Sequence, residues 1–390
     1  MRSVTILGAT GSIGSQAIAF LRLHRDKFTL ENIAVGTDFE GAHAICTEFR
    51  CKRVSFADSE SAAMFREMWP SGSMEILDGP DAATKLAADK VDVVLAAMSG
   101  AVGLPPVLAA IRTGNRVALV NKEALVCCGP QLLALAKERG AAITPVDSEH
   151  SAIFQSLLAG QPHEVRSLLL TASGGPFRSA TVEQPRQVTP KQAMAHPTWS
   201  MGVKNTIDSA TLANKGLELI EAAHLFSCDQ RDIDVVLNPS SIVHSAVAFR
   251  DGSLIAQMGI PDMRVAIGYG LSWPDRLETG VETLDLKALR RLEFEEVDDG
   301  RFPSLSLARA ALDISRDGPL IFNAANEVAV AAFLAGEIRF MDIPATIERC
   351  IENGQHRFVG AIEDMPLINL STMVYCRSEL QAAQQQASLV

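Results

Sequence analysis

Two carboxylates one residue apart, Asp147 and Glu149, stand in the string Pro145-Val146-Asp147-Ser148-Glu149-His150. Read as extended backbone, they point to one side and repel each other unless a proton or a cation relieves them, so a divalent metal is a natural occupant. The same residues also suit an N-cap and a first-turn acid for a helix over 151–158. A second cluster runs Asp208-Ser209-Ala210-Thr211-Leu212-Ala213-Asn214-Lys215-Gly216-Leu217-Glu218. It reads as a helix capped by Asp208 or Ser209, with Asn214, Lys215 and Glu218 three and four residues apart on one face. Ser209, Asn214 and Lys215 are residue types that clamp a phosphate, and Glu218 offers a third oxygen to a cation. A solvated Lys–Glu face reads equally well from that spacing.

The third chemical signal is Gly8-Ala9-Thr10-Gly11-Ser12-Ile13-Gly14, after an apolar run and at the start of a helical pattern. Glycines there allow a tight turn and close backbone approach, and the amides of the helix start can hold a pyrophosphate. A structural β–α turn is the alternative, because the spacing is GxxGxxG instead of GxGxxG. The end of the second strand reads the cofactor ribose; Val35-Gly36-Thr37-Asp38 carries an acid and no adjacent base, which by itself favours NAD over NADP. Weaker singly are Ser173-Gly174-Gly175-Pro176-Phe177, an anion-binding turn or a plain one, and Asn121-Lys122-Glu123, facing a cofactor or capping a helix. His196-Pro197-Thr198-Trp199 pairs a titratable group with apolar bulk.

These residues need a scaffold. Strand-like runs at 4–7, 32–35, 91–97, 116–120 and 142–146 alternate with helix-length segments, the pattern of βαβ units and a parallel sheet. The expectation is an α/β protein with a Rossmann-like dinucleotide-binding domain over 1–147. An α+β catalytic domain over 148–274 follows, with a Gly- and Pro-containing lid at 173–203. A linker at 275–303 then leads to a C-terminal helical domain over 304–390. The uncharged stretch 93–111 contains Gly100, Gly103, Pro105 and Pro106 and reads as strand, turn and helix start, not as a membrane span. A net charge of −11 argues against nucleic acid and anionic membrane as partners. Seven cysteines without a CxxC pair, and a strand pattern that begins at once, favour a reducing, cytoplasmic setting.

Taken in order, the strings Gly8–Gly14, Val120-Asn121-Lys122-Glu123, 145–150, 173–177, 196–202, 208–218 and Pro261-Asp262-Met263-Arg264 resemble those of the 1-deoxy-D-xylulose 5-phosphate reductoisomerases, across about two thirds of the chain. The resemblance implies Mg²⁺ or Mn²⁺ held by Asp147, Glu149 and Glu218. It implies substrate phosphate gripped by Ser173, Ser209, Asn214 and Lys215, with His196 closing from the lid. Ser148 and Lys122 would meet the reacting end under Trp199, and Lys122, Glu149, His196 and Glu218 would be the catalytic set. Thr10, Gly11, Ser12, Ile13, Gly36, Asn121, Glu123 and Gly202 would contact the nicotinamide cofactor, NADPH. The implied reaction rearranges a small phosphorylated sugar by retro-aldol cleavage and re-aldolisation, then reduces the aldehyde to 2-C-methyl-D-erythritol 4-phosphate, an isoprenoid precursor. The implied assembly is a homodimer.

Two positions depart from the family's pattern. Thr37-Asp38 stands where a Lys or Arg followed by Asn is usual, which opens the cofactor site to NADH. Asn238 stands where His is frequent, while His244 remains. Two rivals keep the dinucleotide site but drop the metal: a semialdehyde-type dehydrogenase with Cys127 or Cys128 as nucleophile, and a non-enzymatic dinucleotide sensor.

Overall fold

Seven short parallel strands form the first sheet of this protein, seen in a computed structural model that describes residues 1–69, 72, 74–178, 188–195, 202–314, 317–354 and 361–388. They are β1 (Arg2–Leu7), β2 (Phe28–Val35), β3 (Arg53–Phe56), β4 (Glu75–Asp78), β5 (Val93–Ala96), β6 (Arg116–Leu119) and β7 (Ile143–Pro145), in the order β4-β3-β2-β1-β5-β6-β7. The order reverses between β1 and β5, the switch point at which doubly wound sheets bind dinucleotides. All four residues of β5 are buried, as a strand covered on both faces requires. β3 and β4 are absent from the sequence reading: each is four residues long and carries charge, so neither stands out as an apolar run.

By internal contacts the chain divides into two compact units. The first comprises Met1–Ala124, Gln131–Phe154 and Asp262–Thr283, and the second Leu125–Pro130, Gln155–Pro261 and Leu284–Val390. This division cuts across the segmentation expected from composition. Helix Met263–Ser272, expected in the catalytic domain, lies on the first sheet, where Gly268 leaves no room for a Cβ beside Phe20 and Gly270 none beside Val146. Arg116 on β6 donates to the carbonyls of Gly270 and Leu271 at that helix's C-terminal end, a favourable place for a cation. Burial, then the neighbouring Arg2, pushes its guanidinium down to about 10.

The second unit holds a four-stranded sheet in the order β11-β10-β8-β9, from β8 (Val165–Ala172), β9 (Ile233–Leu237), β10 (Val243–Phe249) and β11 (Leu254–Met258). β10 runs antiparallel to β8 and β11, whereas β8 and β9 are parallel. β8 also escaped the sequence reading, because Leu168-Leu169-Leu170 carries little strand preference without its partners. The helices after residue 304 do not form a core of their own. Gly318–Leu334 is buried nearly all round, and its Phe322, Ala325 and Val328 share one cluster with Ile207, Leu217 and Ile220. The expected linker 275–303 is divided, 275–283 belonging to the first unit and 284–303, mostly irregular backbone, to the second. No helix among the described residues is long and apolar enough to cross a membrane.

Candidate active site

In the first unit β1 delivers the glycine turn. Gly8 has φ +86°, a conformation L side chains avoid, and the amides of Gly8 and Ala9 both donate to Ala34 O of β2, at 2.8 and 3.0 Å. Helix Ser12–Leu23 then starts from Gly11 with no side-chain cap, leaving its first turn open to an anion. Thr10 and Ile13 are half-buried, and Gly11 and Ser12 are exposed. At the end of β2, Gly36 is exposed and Asp38 caps helix Phe39–Phe49, its Oδ1 accepting from Gly41 N at 2.8 Å.

Asn121 caps the helix that begins at Lys122 and also ties two loops together. Its Oδ1 accepts from Ala124 N (3.0 Å), while Nδ2 donates to Met98 O (2.8 Å), Gly100 O (2.9 Å) and Glu123 Oε2 (3.0 Å). The cap is therefore real, and it fixes the loop after β5 beside the switch point. Lys122 lies 2.9 Å from Asp147 Oδ2, with both side chains largely buried. Burial alone drives the Asp147 carboxyl upward, but the Lys122 ammonium and His150 outweigh it and hold it well below the usual carboxylate range.

The geometry of 147–149 differs from the extended reading. β7 ends at Pro145 and helix Ser148–Leu157 begins at once, so Glu149 sits in a first helical turn, with Ser148 Oγ donating to its Oε2 at 2.5 Å. The helix starts three residues earlier than the apolar pattern suggested, because the polar Ser148 and Glu149 are its first turn.

In the second unit β8 ends at Ala172 and leads into Ser173, Gly174 (φ +85°) and Gly175 (φ +63°). A Cβ on Gly175 would lie 2.6 Å from Ser209 O, so this turn packs directly on the end of helix Val203–Ala210. Gly202 is that helix's N-cap. Asp208 and Ser209 lie inside it and cap nothing, contrary to expectation. Leu212, with φ +57°, breaks the chain before the next helix, Ala213–Leu225. Asn214 and Lys215 both donate to the Glu218 carboxylate. Lys215 and Glu218 are only 4% and 2% exposed, so the solvated-face reading fails. Taking both charges out of water is costly, and their attraction offsets that only with good geometry and further hydrogen bonds, here one from Asn214.

Sequence reasoning did not find what holds this segment. Asp208 is fully buried between Lys204 Nζ (2.8 Å) and Asn326 Nδ2 (2.8 Å). Lys204 is one turn away and was legible in principle, whereas Asn326 is 118 residues distant and left no local signal. His196 and Trp199 lie outside the described residues, as do residues 179–187 and 196–201 of the expected lid. Cys127 and Cys128 are buried, and burial pushes the Cys128 thiol up to about 12, the reverse of a poised nucleophile.

Asn238 is fully buried and structural: Nδ2 donates to Glu293 O (2.8 Å) and Oδ1 accepts from Val243 N (3.1 Å). His244 is buried on β10, and burial pushes its imidazole down to about 4. The folded value lies below the unfolded one of about 6.5, so between pH 6.5 and 4 the unfolded chain binds the extra proton. Stability should therefore fall as pH drops through that window. Between pH 7 and 5 this amounts to about 2 kcal/mol, and urea midpoints at the two pH values should show His244→Gln less acid-sensitive by that amount. Equal acid sensitivity in variant and parent would refute it.

Comparison with known proteins follows the same lines. Residues 4–129 match the family model of 1-deoxy-D-xylulose 5-phosphate reductoisomerase, 143–226 the C-terminal domain of that enzyme, and 258–372 the DXP reductoisomerase C-terminal domain. The 1-deoxy-D-xylulose 5-phosphate reductoisomerase of Chlorobium chlorochromatii (strain CaD3) is 49% identical over 353 residues, 90% of this chain and 92% of its own. That of Chlorobaculum tepidum is 47% identical over the same shares. Among solved structures, the Zymomonas mobilis enzyme in complex with NADPH aligns with a TM-score of 0.91 at 39% identity, covering 97% of this chain and 98% of that one. A DOX-P reductoisomerase in complex with NADPH, fosmidomycin and magnesium aligns with a TM-score of 0.92 at 36% identity, covering 99% and 100%.

Proposed function

The chain belongs to the 1-deoxy-D-xylulose 5-phosphate reductoisomerase family, and from that premise we propose that it rearranges and reduces 1-deoxy-D-xylulose 5-phosphate to 2-C-methyl-D-erythritol 4-phosphate, using NADPH and a divalent cation. The product serves isoprenoid precursor synthesis. The observation that carries the reading is agreement along the whole chain: 49% identity over 90% of it, and a fold shared with enzymes solved with NADPH and magnesium.

Asp147, Glu149 and Glu218 each offer a carboxylate oxygen, and we assign them to the cation. The donor chemistry fits: hard oxygens, with no thiolate or imidazole in the set, suit Mg²⁺ or Mn²⁺ and not zinc. When bound, the cation supplies Lewis acidity at the substrate oxygens and the nicotinamide supplies hydride. Within this reading Lys122, paired with Asp147, and Ser148 donate hydrogen bonds at the reacting end. Glu149, partnered by Ser148, is held to accept. Lys215 is a buried ammonium, and with Asn214, Ser209 and Ser173 it holds the substrate phosphate. His196 is assigned to close over the phosphate, and Trp199 to cover the reacting end. The open first turn at Thr10–Ile13 is assigned to the cofactor pyrophosphate, and Asn121, Glu123, Gly36 and Gly202 to the same cofactor.

A homodimer and a cytoplasmic location belong to the same proposal. The edge strand β11 exposes Leu254 and Ile255, a surface that suits a second copy. The test is a turnover assay following oxidation of NADPH with 1-deoxy-D-xylulose 5-phosphate. EDTA should suppress the reaction and added Mg²⁺ or Mn²⁺ should restore it. Turnover indifferent to chelation, or none with metal and both substrates present, would overturn the reading.

A further inference from the structure

Five strand ends, β1 to β5, deliver the loops that line the cofactor edge of the first sheet on and beside the ribose-reading strand β2. No Lys or Arg occurs in residues 8–21, 36–49, 57–65, 79–84 or 97–111, the stretches leaving those ends; the first basic residues beyond them are Arg22, Arg50, Arg66, Lys85 and Arg112. The stretches carry instead Asp38, Glu40, Asp58, Glu60 and Asp81, while Glu48, at the far end of helix Phe39–Phe49, is paired with Arg22 and Arg25. Asp38 sits three residues past β2, at the position that reads the ribose 2′ substituent, and its carboxylate is fixed by the bond from Gly41 N at 2.8 Å. At the end of β3, Asp58 is fixed the same way by Ser61 N, also at 2.8 Å. Among the described residues Asp38 makes no ion pair that would neutralise it, and Arg66 is already paired with Asp78 at 2.8 Å.

The 2′-phosphate of NADPH is a multiply charged anion that in this fold is met by a basic side chain, whereas a carboxylate at that place accepts from the free 2′-hydroxyl of NADH. The rim here offers the second chemistry and not the first. We infer that this chain does not select NADPH over NADH, and that Asp38 is the specificity-determining residue. The inference rests on the functional reading above for the presence of a nicotinamide cofactor, and narrows what the adenosine half of that cofactor must be. The pyrophosphate cradle is common to both molecules, so NADPH still binds, without added affinity from its extra phosphate.

The experiment measures Kd for NADPH and for NADH on the full chain by quenching of protein fluorescence, without substrate, and then kcat/KM with each in the presence of Mg²⁺. The expected NADPH preference is below about tenfold in both readouts. Asp38→Asn removes the charge and keeps a side chain that caps a helix equally well. It should move the Kd ratio towards NADPH by about tenfold or more at low salt, with a smaller shift at high salt. An NADPH preference above tenfold in the parent, or an unmoved ratio in Asp38→Asn, would overturn the inference. Equal binding of both cofactors with no turnover of the sugar phosphate would refute the functional reading while upholding the selectivity.

Discussion

Replacing Glu218 by Gln is expected to lower kcat/KM by about a thousandfold, about 4 kcal/mol of transition-state stabilisation, with the shape of the side chain unchanged. The substitution does two separable things. It removes one anionic oxygen from the proposed cation set, and it leaves the Lys215 ammonium, 4% exposed, facing a neutral amide. Breaking a buried pair from one side costs about 3–5 kcal/mol of stability, so circular dichroism and a urea midpoint must accompany the kinetics. The metal role has its own readout. The Mg²⁺ concentration giving half-maximal turnover should rise by at least about tenfold, since a hard cation loses a charged ligand. Asp147→Asn provides a second arm in the other unit, where Lys122 is the cation left behind. A folded Glu218→Gln with an unchanged metal dependence would strike Glu218 from the ligand set.

Gly14→Ala carries the next largest expectation: about a hundredfold weaker NADPH binding, read by fluorescence titration, and about 1–3 kcal/mol lower stability. An added Cβ would lie 2.2 Å from Gly8 O and 2.5 Å from Ala9 O, both rigid backbone atoms. Gly8 and Ala9 are themselves pinned to Ala34 O, so the turn cannot yield and the helix start must move away from it. A displacement of that helix by about an ångström misaims the amides that hold the pyrophosphate. Gly36→Ala is the contrasting case, because nothing lies within 4 Å of its Cβ position, and its stability should match the parent's. Wild-type affinity in Gly14→Ala would show that the close turn does not position the cofactor.

The residues that proved legible in the sequence are those whose environment is local. β5 is a run of four apolar residues because both its faces are covered. Asn121 caps a helix three residues from the amide it accepts. The glycine turn needs no distant partner to explain Gly8 at φ +86°. The misreadings have the opposite character. Lys215 and Glu218 have the spacing of a surface ion pair, but their helix packs against Val203–Ala210 and the helices after residue 304, and the pair is buried. Asp147 and Glu149 alternate like strand residues, yet the backbone turns helical at Ser148. Asp208 resembles an N-cap in sequence, but Asn326 turns it into the centre of a buried network.

The path of the chain limits how this protein can be taken apart. The first unit is made of three separate stretches, and Asp262–Thr283, which completes it, is joined to the rest only through the second unit. A fragment ending near residue 154 would leave Phe20 and Val146 without the cover that Met263–Ser272 supplies, and Arg116 without the two carbonyls that receive it. Such a half-protein exposes apolar surface and strands a buried cation. Neither unit can be swapped between relatives as a single cassette, and a stop codon before residue 263 strips the first sheet of its covering helix along with everything downstream.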